Sequence, residues 1–360
     1  MKENKRILVL NFGSTSSKIA YFCGEEEVTA KNYDHSVEEL KECRTKTQQI
    51  PLRRKALEAF LEENQIGESD IDLIVPRYPL EGDENIGHFM ADEAFYENAC
   101  ETLDDRFHIM YIAPAVAKEV FGERVPMAVC DVMSYIQVEP ELCMTGIPQA
   151  KRSNLCHIEN TTQISRRLAG ELEKPRDELS FAIGHLGGGV SFSWSKGGYV
   201  RYCLFDGEGA FSPQRGGIVP SLPLIDLCYS GQYSREEMIS LIKGRGGLTA
   251  YLGTADCVEV EQRIAGGDEQ AKLVYDAMID SMSACLGDVC AIASGNIDCI
   301  ALSGGIANSD YVVSRIRDHV GFIAPVRVYP GEFEMEFFAG FGLDVLNGTI
   351  NMDGRRWSEL

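Results

Sequence analysis

The chain has 360 residues, 44% of them hydrophobic and 25% charged, with a formal charge of −21. That length and composition allow two ordinary globular domains. The negative charge argues against nucleic acid or an anionic membrane as partner, but a few local cations and backbone amides suffice to hold a nucleotide. Lys2, Lys5 and Arg6 precede only four apolar residues before Asn11, too few for a signal-peptide core, and no run is long enough to span a bilayer. The twelve cysteines are scattered and none forms C-x-x-C. Cys130, Cys285, Cys290 and Cys299 lie in apolar stretches and read as small buried hydrophobes in a reducing cytoplasm, rather than as metal or redox groups.

In chain order, residues 7–10 predict a strand, 11–18 a loop and 19–22 a second strand. Residues 51–65 predict a helix with Leu57, Phe60 and Leu61 on one face and Gly67 as its stop. Residues 71–75 predict a buried strand, ended by Pro76-Arg77-Tyr78-Pro79. A helix follows at 113–121. Residues 127–130 form a strand that delivers Asp131 at its C-terminal end, where α/β sheets bind ligands. Residues 160–173 are helical, with Ile164, Leu168 and Leu172 four apart.

In the second half, residues 181–183 lead into His185 and the glycines Gly187, Gly188 and Gly189, and 190–194 alternate like a strand. Asp206-Gly207-Glu208-Gly209 and Arg215 follow. Ser234 with Glu237 is a capping box, and Gly244 stops that helix. Residues 268–294 predict one long or broken helix closed by Gly295. Residues 297–302 form a strand entering Ser303-Gly304-Gly305, and Asn308 or Ser309 caps a helix reaching about His319. A strand at 326–329 and a helix at 332–346, stopped near Gly348, end the pattern. Alternating strands and helices indicate an α/β fold.

The two glycine loops match. Asn11 corresponds to His185 and Gly13 to Gly187, each 174 residues later. Without Cβ atoms, such a loop lets phosphate oxygens approach backbone N–H groups. Either loop alone is also an ordinary hairpin turn. The pair at matched spacing suggests an internal duplication, with two hairpins holding a nucleotide's phosphates from both sides of a cleft. Strand, Gly-Gly, helix at 297–319 is a seat for a nucleoside, or plain strand–helix packing.

The motifs N-F-G-S-T-S-S-K, H-L-G-G-G, D-G-E-G-x-F-S-P-x-R, G-G-L-x-A-Y-L-G-T-x-D, L-S-G-G-I-A-x-S and F-I-A-P-V-x-V-Y-P-G-E, with E-M-E, together resemble butyrate kinase. That family sits in the acetokinase branch of the superfamily shared by sugar kinases, actin and heat-shock ATPases. The resemblance is dense over 181–348, clear at 7–22 and thin between 25 and 155. It implies an α/β fold with two domains of duplicated actin-like ATPase (ribonuclease H-like) topology and an interdomain nucleotide cleft. The expected division is 1–150, completed by a C-terminal helix at about 335–360, and 151–334, which carries most of the nucleotide site.

The resemblance also implies ATP/ADP and Mg²⁺ as cofactors, and a reversible reaction of a short-chain carboxylic acid with ATP to give an acyl phosphate. It implies a cytoplasmic homodimer or higher homo-oligomer. Carried over by motif, Asn11, Gly13, Ser14, Thr15 and Ser16 form the first phosphate loop, and His185, Gly187, Gly188 and Gly189 the second. Gly304, Gly305 and Ile306 flank the adenosine. Arg215 matches the catalytic arginine and His157 a histidine at the transferring phosphoryl group. Arg77 lies at the acceptor site. Glu334, with Glu332 as competitor, and Asp131 match the acids near Mg²⁺.

The departures fall on the acceptor side. Where the family has Gly-Arg-Gly-Gly, this chain has Pro76-Arg77-Tyr78-Pro79. V-D-P-V-V-V-D-E becomes residues 130–137, and H-A-L-N-Q becomes 157–161. Nucleotide binding is therefore better supported than butyrate as substrate; by the resemblance, butyrate or a branched-chain relative remains the expected acid. An acetate- or propionate-type kinase, and a nucleotide-binding regulator with a degraded acceptor site, are the alternatives. Tyr78 is expected to narrow the acyl site. Each site residue also has a plainer reading: Arg215 as a surface ion-pair partner, Asp131 as a turn cap, His157 as a core histidine.

Overall fold

The computed structural model describes residues 5–79, 87–106, 108–350 and 352. They fall into two units, Met1–Ser134 with Glu334–Leu360, and Tyr135–Phe333. The division lies earlier than the expected 150/151, because residues 136 and 137 already join the second unit: Ile136 bridges Val200, and Gln137 N donates to the Val200 carbonyl.

In the first unit the strands are β1 (Arg6–Phe12), β2 (Ser16–Cys23), β3 (Glu26–Asp34), β4 (Leu73–Pro76), β5 (Phe89–Met90) and β6 (Ala128–Val129). The sheet order is β3-β2-β1-β4. β1 and β3 run antiparallel to β2, and β4 runs parallel to β1. A single parallel bridge, Ile74 to Met127, carries the order on toward β6, which pairs with β5. The second unit has β7 (Ser180–Leu186), β8 (Val190–Lys196), β9 (Tyr199–Phe205), β10 (Cys299–Gly304) and β11 (Val326–Pro330). Its order is β9-β8-β7-β10-β11, with the first three antiparallel and the last two parallel to β7.

The two sheets share one wiring, as the repeated loops predict. The correspondence slips by one residue across the loop. Asn11 pairs with Lys18 but His185 with Ser191, so the second hairpin is one residue tighter.

Helices on both faces explain the continuous apolar runs of the central strands. Ile7, Leu8, Val9 and Leu10 are all fully buried. The helices Ile50–Glu63 and Ala113–Phe121 cover one face through Leu57, Phe60 and Val116, each burial contributing about 1.5–3 kcal/mol. The helix Glu334–Asn347 covers the other, and Gly342 lets it come close: a Cβ there would stand 3.0 Å from Val75 Cγ2. In the second unit, Glu269–Ile292 lays Tyr275, Met278, Ile279, Met282 and Leu286 on one face of the sheet. Ile158–Leu172 packs Ile164 and Leu168 against Phe181 and Ile183 on the other.

The helix at 113–121 and the Ser234–Glu237 capping box appear as expected. Ser309 caps Asp310–Val320, while Asn308 closes a 3-10 turn, Gly305–Asn308. The strand expected at 127–130 shrinks to two residues, since only one bridge ties it to β4. The last helix begins at Glu334, not 332, and ends at Asn347 rather than reaching about 360, since 348–350 and 352 are not helical; residues 351 and 353–360 lie outside the described residues. Cys130, Cys285, Cys290 and Cys299 are buried, whereas Cys100 and Cys228 are exposed. Among the described residues no helix is long and apolar enough to cross a membrane.

Candidate active site

In the first unit, Asn11, Arg77 and Glu334 meet. β1 carries Asn11 at its C-terminal end, β4 hands the chain to Arg77, and Glu334 opens the helix Glu334–Asn347. Arg77 N donates to the Leu10 carbonyl at 2.7 Å, which holds the residue beside β1. Its Nη1 lies 2.9 Å from Glu334 Oε2, and Asn11 Nδ2 donates to the same oxygen at 3.1 Å. Both ionic side chains are only partly exposed, and the helix N-terminus favours the carboxylate.

Between β1 and β2, Ser14 and Thr15 are exposed and Gly13 and Ser16 half-buried. Gly13 N donates to the Ser16 carbonyl, and in the second loop Gly187 N donates to Gly189. Both hairpins thus close on themselves by a backbone bond from the corresponding glycine, spanning one residue less in the second. The amides of Gly13 and Gly187 are spent within the loops, so these two residues do not present free N–H groups.

Asp131 is buried, and its carboxylate accepts from Gly87 N (2.9 Å), Met133 N (3.0 Å) and Ser134 Oγ (3.1 Å). The bonds from Met133 N and Ser134 Oγ fasten the 3-10 turn Val132–Tyr135, the turn-capping role. Among the described residues no group of three His, Cys, Asp or Glu side chains could hold a metal. Tyr78 is buried in the unit's core, edge-on to Phe95 at 5.2 Å and Tyr111 at 5.0 Å. Its ring fills the core, contrary to the expectation of a ring lining the acyl site, because aromatic neighbours on the adjacent helices accommodate it.

In the second unit, His157 precedes the helix Ile158–Leu172, and its Nδ1 lies 2.8 Å from Ser191 Oγ at the start of β8. Its ring stacks on His185 at 4.1 Å. Gly188 is exposed and is braced from behind. Its carbonyl accepts from Ser212 Oγ at 2.7 Å and from Gln214 N at 3.1 Å. Arg215 runs along Gly189, whose Cβ would stand 3.6 Å from Arg215 Nε. The same Nε donates to Asp206 Oδ1 at 3.3 Å, and Lys243 also reaches Asp206. Ser212, Gln214 and Asp206 escaped the sequence reading as functional residues, although all three fall inside the D-G-E-G-x-F-S-P-x-R motif.

β10 brings Ser303 within 3.3 Å of His185 Nδ1 and ends at Gly304. A Cβ on Gly304 would collide with the Leu186 carbonyl, whereas Gly305 opens onto free space. Ile306 is buried in the unit's core, so its backbone alone is left to flank a base. Glu332 is exposed.

Burial, reinforced by His157, lowers the His185 pKa to about 3. The folded protein therefore keeps His185 neutral, while the unfolded chain takes up a proton near pH 6.5. Between these values the unfolded state binds more protons, so this contribution to stability is full above about pH 6.5 and drains away toward pH 3. We predict that His185→Asn narrows the loss of urea resistance between pH 7.5 and pH 5. An identical pH dependence in the variant would show that His185 titrates normally in the folded state.

The Acetokinase family profile matches residues 116–325. The chain is 36% identical over 349 residues to a probable butyrate kinase of Bacteroides thetaiotaomicron, covering 96% of this chain and 98% of that protein. It is 33% identical over 348 residues to a butyrate kinase of Clostridium acetobutylicum, covering 95% and 97%. Among solved structures it resembles the acetate kinase of Porphyromonas gingivalis, with a TM-score of 0.77, 16% identity and coverage of 95% and 100%. It also resembles a propionate kinase from Francisella tularensis, with a TM-score of 0.69, 18% identity and coverage of 93% and 98%. These structures share its two-domain actin-like fold, and the near full-length identity to the butyrate kinases carries kinship further: the chain belongs to the acetokinase family.

Proposed function

We propose that the chain is a cytoplasmic carboxylate kinase that moves the γ-phosphoryl group of ATP reversibly onto butyrate or a branched-chain relative. The observation that carries this reading is Arg215 lying along the glycine loop Gly187–Gly189, in a chain so similar to butyrate kinases. A short-chain acid, with a pKa like that of a glutamate near 4.3, is ionised at neutral pH and needs no general base. Its oxygen forms the new P–O bond while the bond from the γ-phosphorus to the bridging oxygen breaks, and that electron pair leaves with ADP. The obstacle is repulsion between anions, so the protein's work is positioning and charge neutralisation.

In this reading Ser14, Thr15 and Ser16 of the first loop, and Gly188 and Gly189 of the second, take phosphate oxygens. Arg215 meets charge on the transferring group. Arg77 meets the acceptor carboxylate, which competes with Glu334 for the guanidinium. His157 and His185 line the approach without a proton to give from His185, which stays neutral. Gly305 and the Ile306 backbone flank the adenosine. Mg²⁺, when bound, offsets phosphate charge, and an ion that keeps most of its waters fits a single protein carboxylate. Glu334 and Asp131 are the carboxylates for that place; each already accepts hydrogen bonds, Glu334 from Asn11 and Arg77, Asp131 from Met133 and Ser134.

A hydroxamate assay with ATP, Mg²⁺ and linear and branched acids from acetate to hexanoate tests the reading. The expected profile peaks at butyrate or a branched relative. A peak at acetate or propionate would change the acid, and ATP binding without any acyl phosphate would make the chain a nucleotide-binding regulator.

The same reading includes a homodimer. The helix Ser221–Tyr229 buries none of its residues, and Leu222 is 73% and Tyr229 88% exposed. Ile218 and Ile225 extend this apolar surface, and a second copy of the chain would cover it. We predict that Leu222→Asp with Ile225→Asp sediments as a monomer while the parent sediments as a dimer. Equal sedimentation of the two would place any interface elsewhere.

A further inference from the structure

Arg53 has no part in the reading above, yet it is fully buried and among the largest fully buried side chains of the chain. It projects from the first turn of the helix Ile50–Glu63 to the underside of the first loop. Its Nη1 donates to the Ser16 carbonyl at 2.9 Å and reaches Ser17 Oγ at 3.3 Å. Nη2 donates to Gln49 Oε1 at 3.0 Å, and the guanidinium lies over the Phe12 ring at 5.8 Å. Every one of these partners is neutral. Among the described residues no carboxylate pairs with Arg53, unlike Arg6, Arg77, Arg124, Arg215 and Arg315, which each have one.

A buried charge without a counter-ion is costly, and proteins ordinarily pair it or discard it. Discarding it is not available here: burial lowers the Arg53 pKa only to about 10, so the group stays charged at neutral pH. His35 completes the arrangement. Its Nε2 lies 2.9 Å from Ser17 Oγ, and its backbone N donates to the Thr15 carbonyl at 2.8 Å. Thr15, Ser16 and Ser17 are thus each held from one side. In a trans peptide the carbonyl and the following N–H point opposite ways. A Thr15 carbonyl drawn toward His35 therefore turns the Ser16 N–H away from it.

We propose that Arg53 is a positioning residue whose unpaired charge, set beneath the first loop, readies that loop for the phosphates of a nucleotide without touching them. The missing counter-ion is then the ligand's own phosphate, acting through one layer of low-dielectric protein. This rests on the assignment of the loop to phosphate binding.

The test separates charge from architecture. Gln49→Glu keeps the side chain's shape and gives Arg53 a carboxylate, cancelling the charge while preserving the hydrogen bond. Arg53→Met removes the charge with much of the bulk kept, and Arg53→Lys keeps the charge but loses the fork. Binding of inorganic tripolyphosphate and of adenosine is measured by calorimetry at two salt concentrations, with urea unfolding as the control for folding. Gln49→Glu should weaken tripolyphosphate at least about tenfold, with a shallower salt dependence. Adenosine affinity should hold, and urea resistance should be equal to the parent's or better. Arg53→Lys should fall between the parent and Arg53→Met. Parent-like tripolyphosphate affinity in Gln49→Glu would overturn the proposal, whatever Arg53→Met does to folding. If the parent itself binds no tripolyphosphate, both this proposal and the assignment of the loop fail, whereas binding without acyl phosphate formation removes only the catalytic reading.

Discussion

Arg215→Ala should lower kcat by on the order of a thousandfold and leave ATP affinity nearly unchanged, because a cation that meets charge in the transition state acts mainly on kcat. The surroundings make this a clean substitution. The backbone N of Arg215 is held by Ser212 Oγ, which also holds the Gly188 carbonyl. Neither bond involves the side chain that is removed, so the loop should keep its shape. Asp206 is not stranded either, since Lys243 remains 3.4 Å away. Arg215→Lys should recover part of the rate but not the geometry of the fork. A nearly normal kcat with a raised KM for ATP alone would put Arg215 outside the reaction centre.

Adjacent glycines should give opposite results. Gly304 has φ 86° and ψ 173°, backbone that only glycine adopts readily, and its Cα faces the Leu186 carbonyl. We predict that Gly304→Ala costs roughly 2–4 kcal/mol, strain and clash together, and lowers Tm accordingly. Gly305 has nothing within 4 Å of where its Cβ would stand. Gly305→Ala should therefore change stability by less than about 0.5 kcal/mol and instead weaken ATP or ADP relative to tripolyphosphate. A thermal melt of both variants with and without nucleotide decides it. Equal destabilisation by both, or unchanged ADP binding in Gly305→Ala, would count against a nucleoside seat at this turn.

The parts of the molecule legible in the sequence are those where one local rule decides. The Ser234–Glu237 box, the Gly244 stop and the helix at 113–121 follow from capping and periodicity. The repeated sheet wiring followed from two glycine loops at equal spacing. Motif carry-over picked out Asn11, Arg77 and Glu334 for separate roles; the structure brings all three to one point, although Glu334 is more than 250 residues from Arg77 in sequence. What stayed hidden depends on tertiary partners. Tyr78 reads as an obstruction beside an arginine until Phe95 and Tyr111 are seen packed on it. The sequence places Asp131 at a strand end but does not show that its carboxylate also accepts from Gly87, Met133 and Ser134. Arg53 carries no motif at all: an arginine followed by a second arginine in a helix reads as solvated, and only its burial beneath the Ser16 carbonyl distinguishes it from Arg54.

The most direct measurement of the central claim is ³¹P NMR of the protein with ADP, Mg²⁺ and butyryl phosphate. The account predicts loss of the acyl phosphate resonance matched by growth of the ATP γ-phosphate, with the same mixture nearly static for Arg215→Ala. Butyryl phosphate that persists, or decays to inorganic phosphate without ATP, in the presence of protein with bound ADP would contradict it.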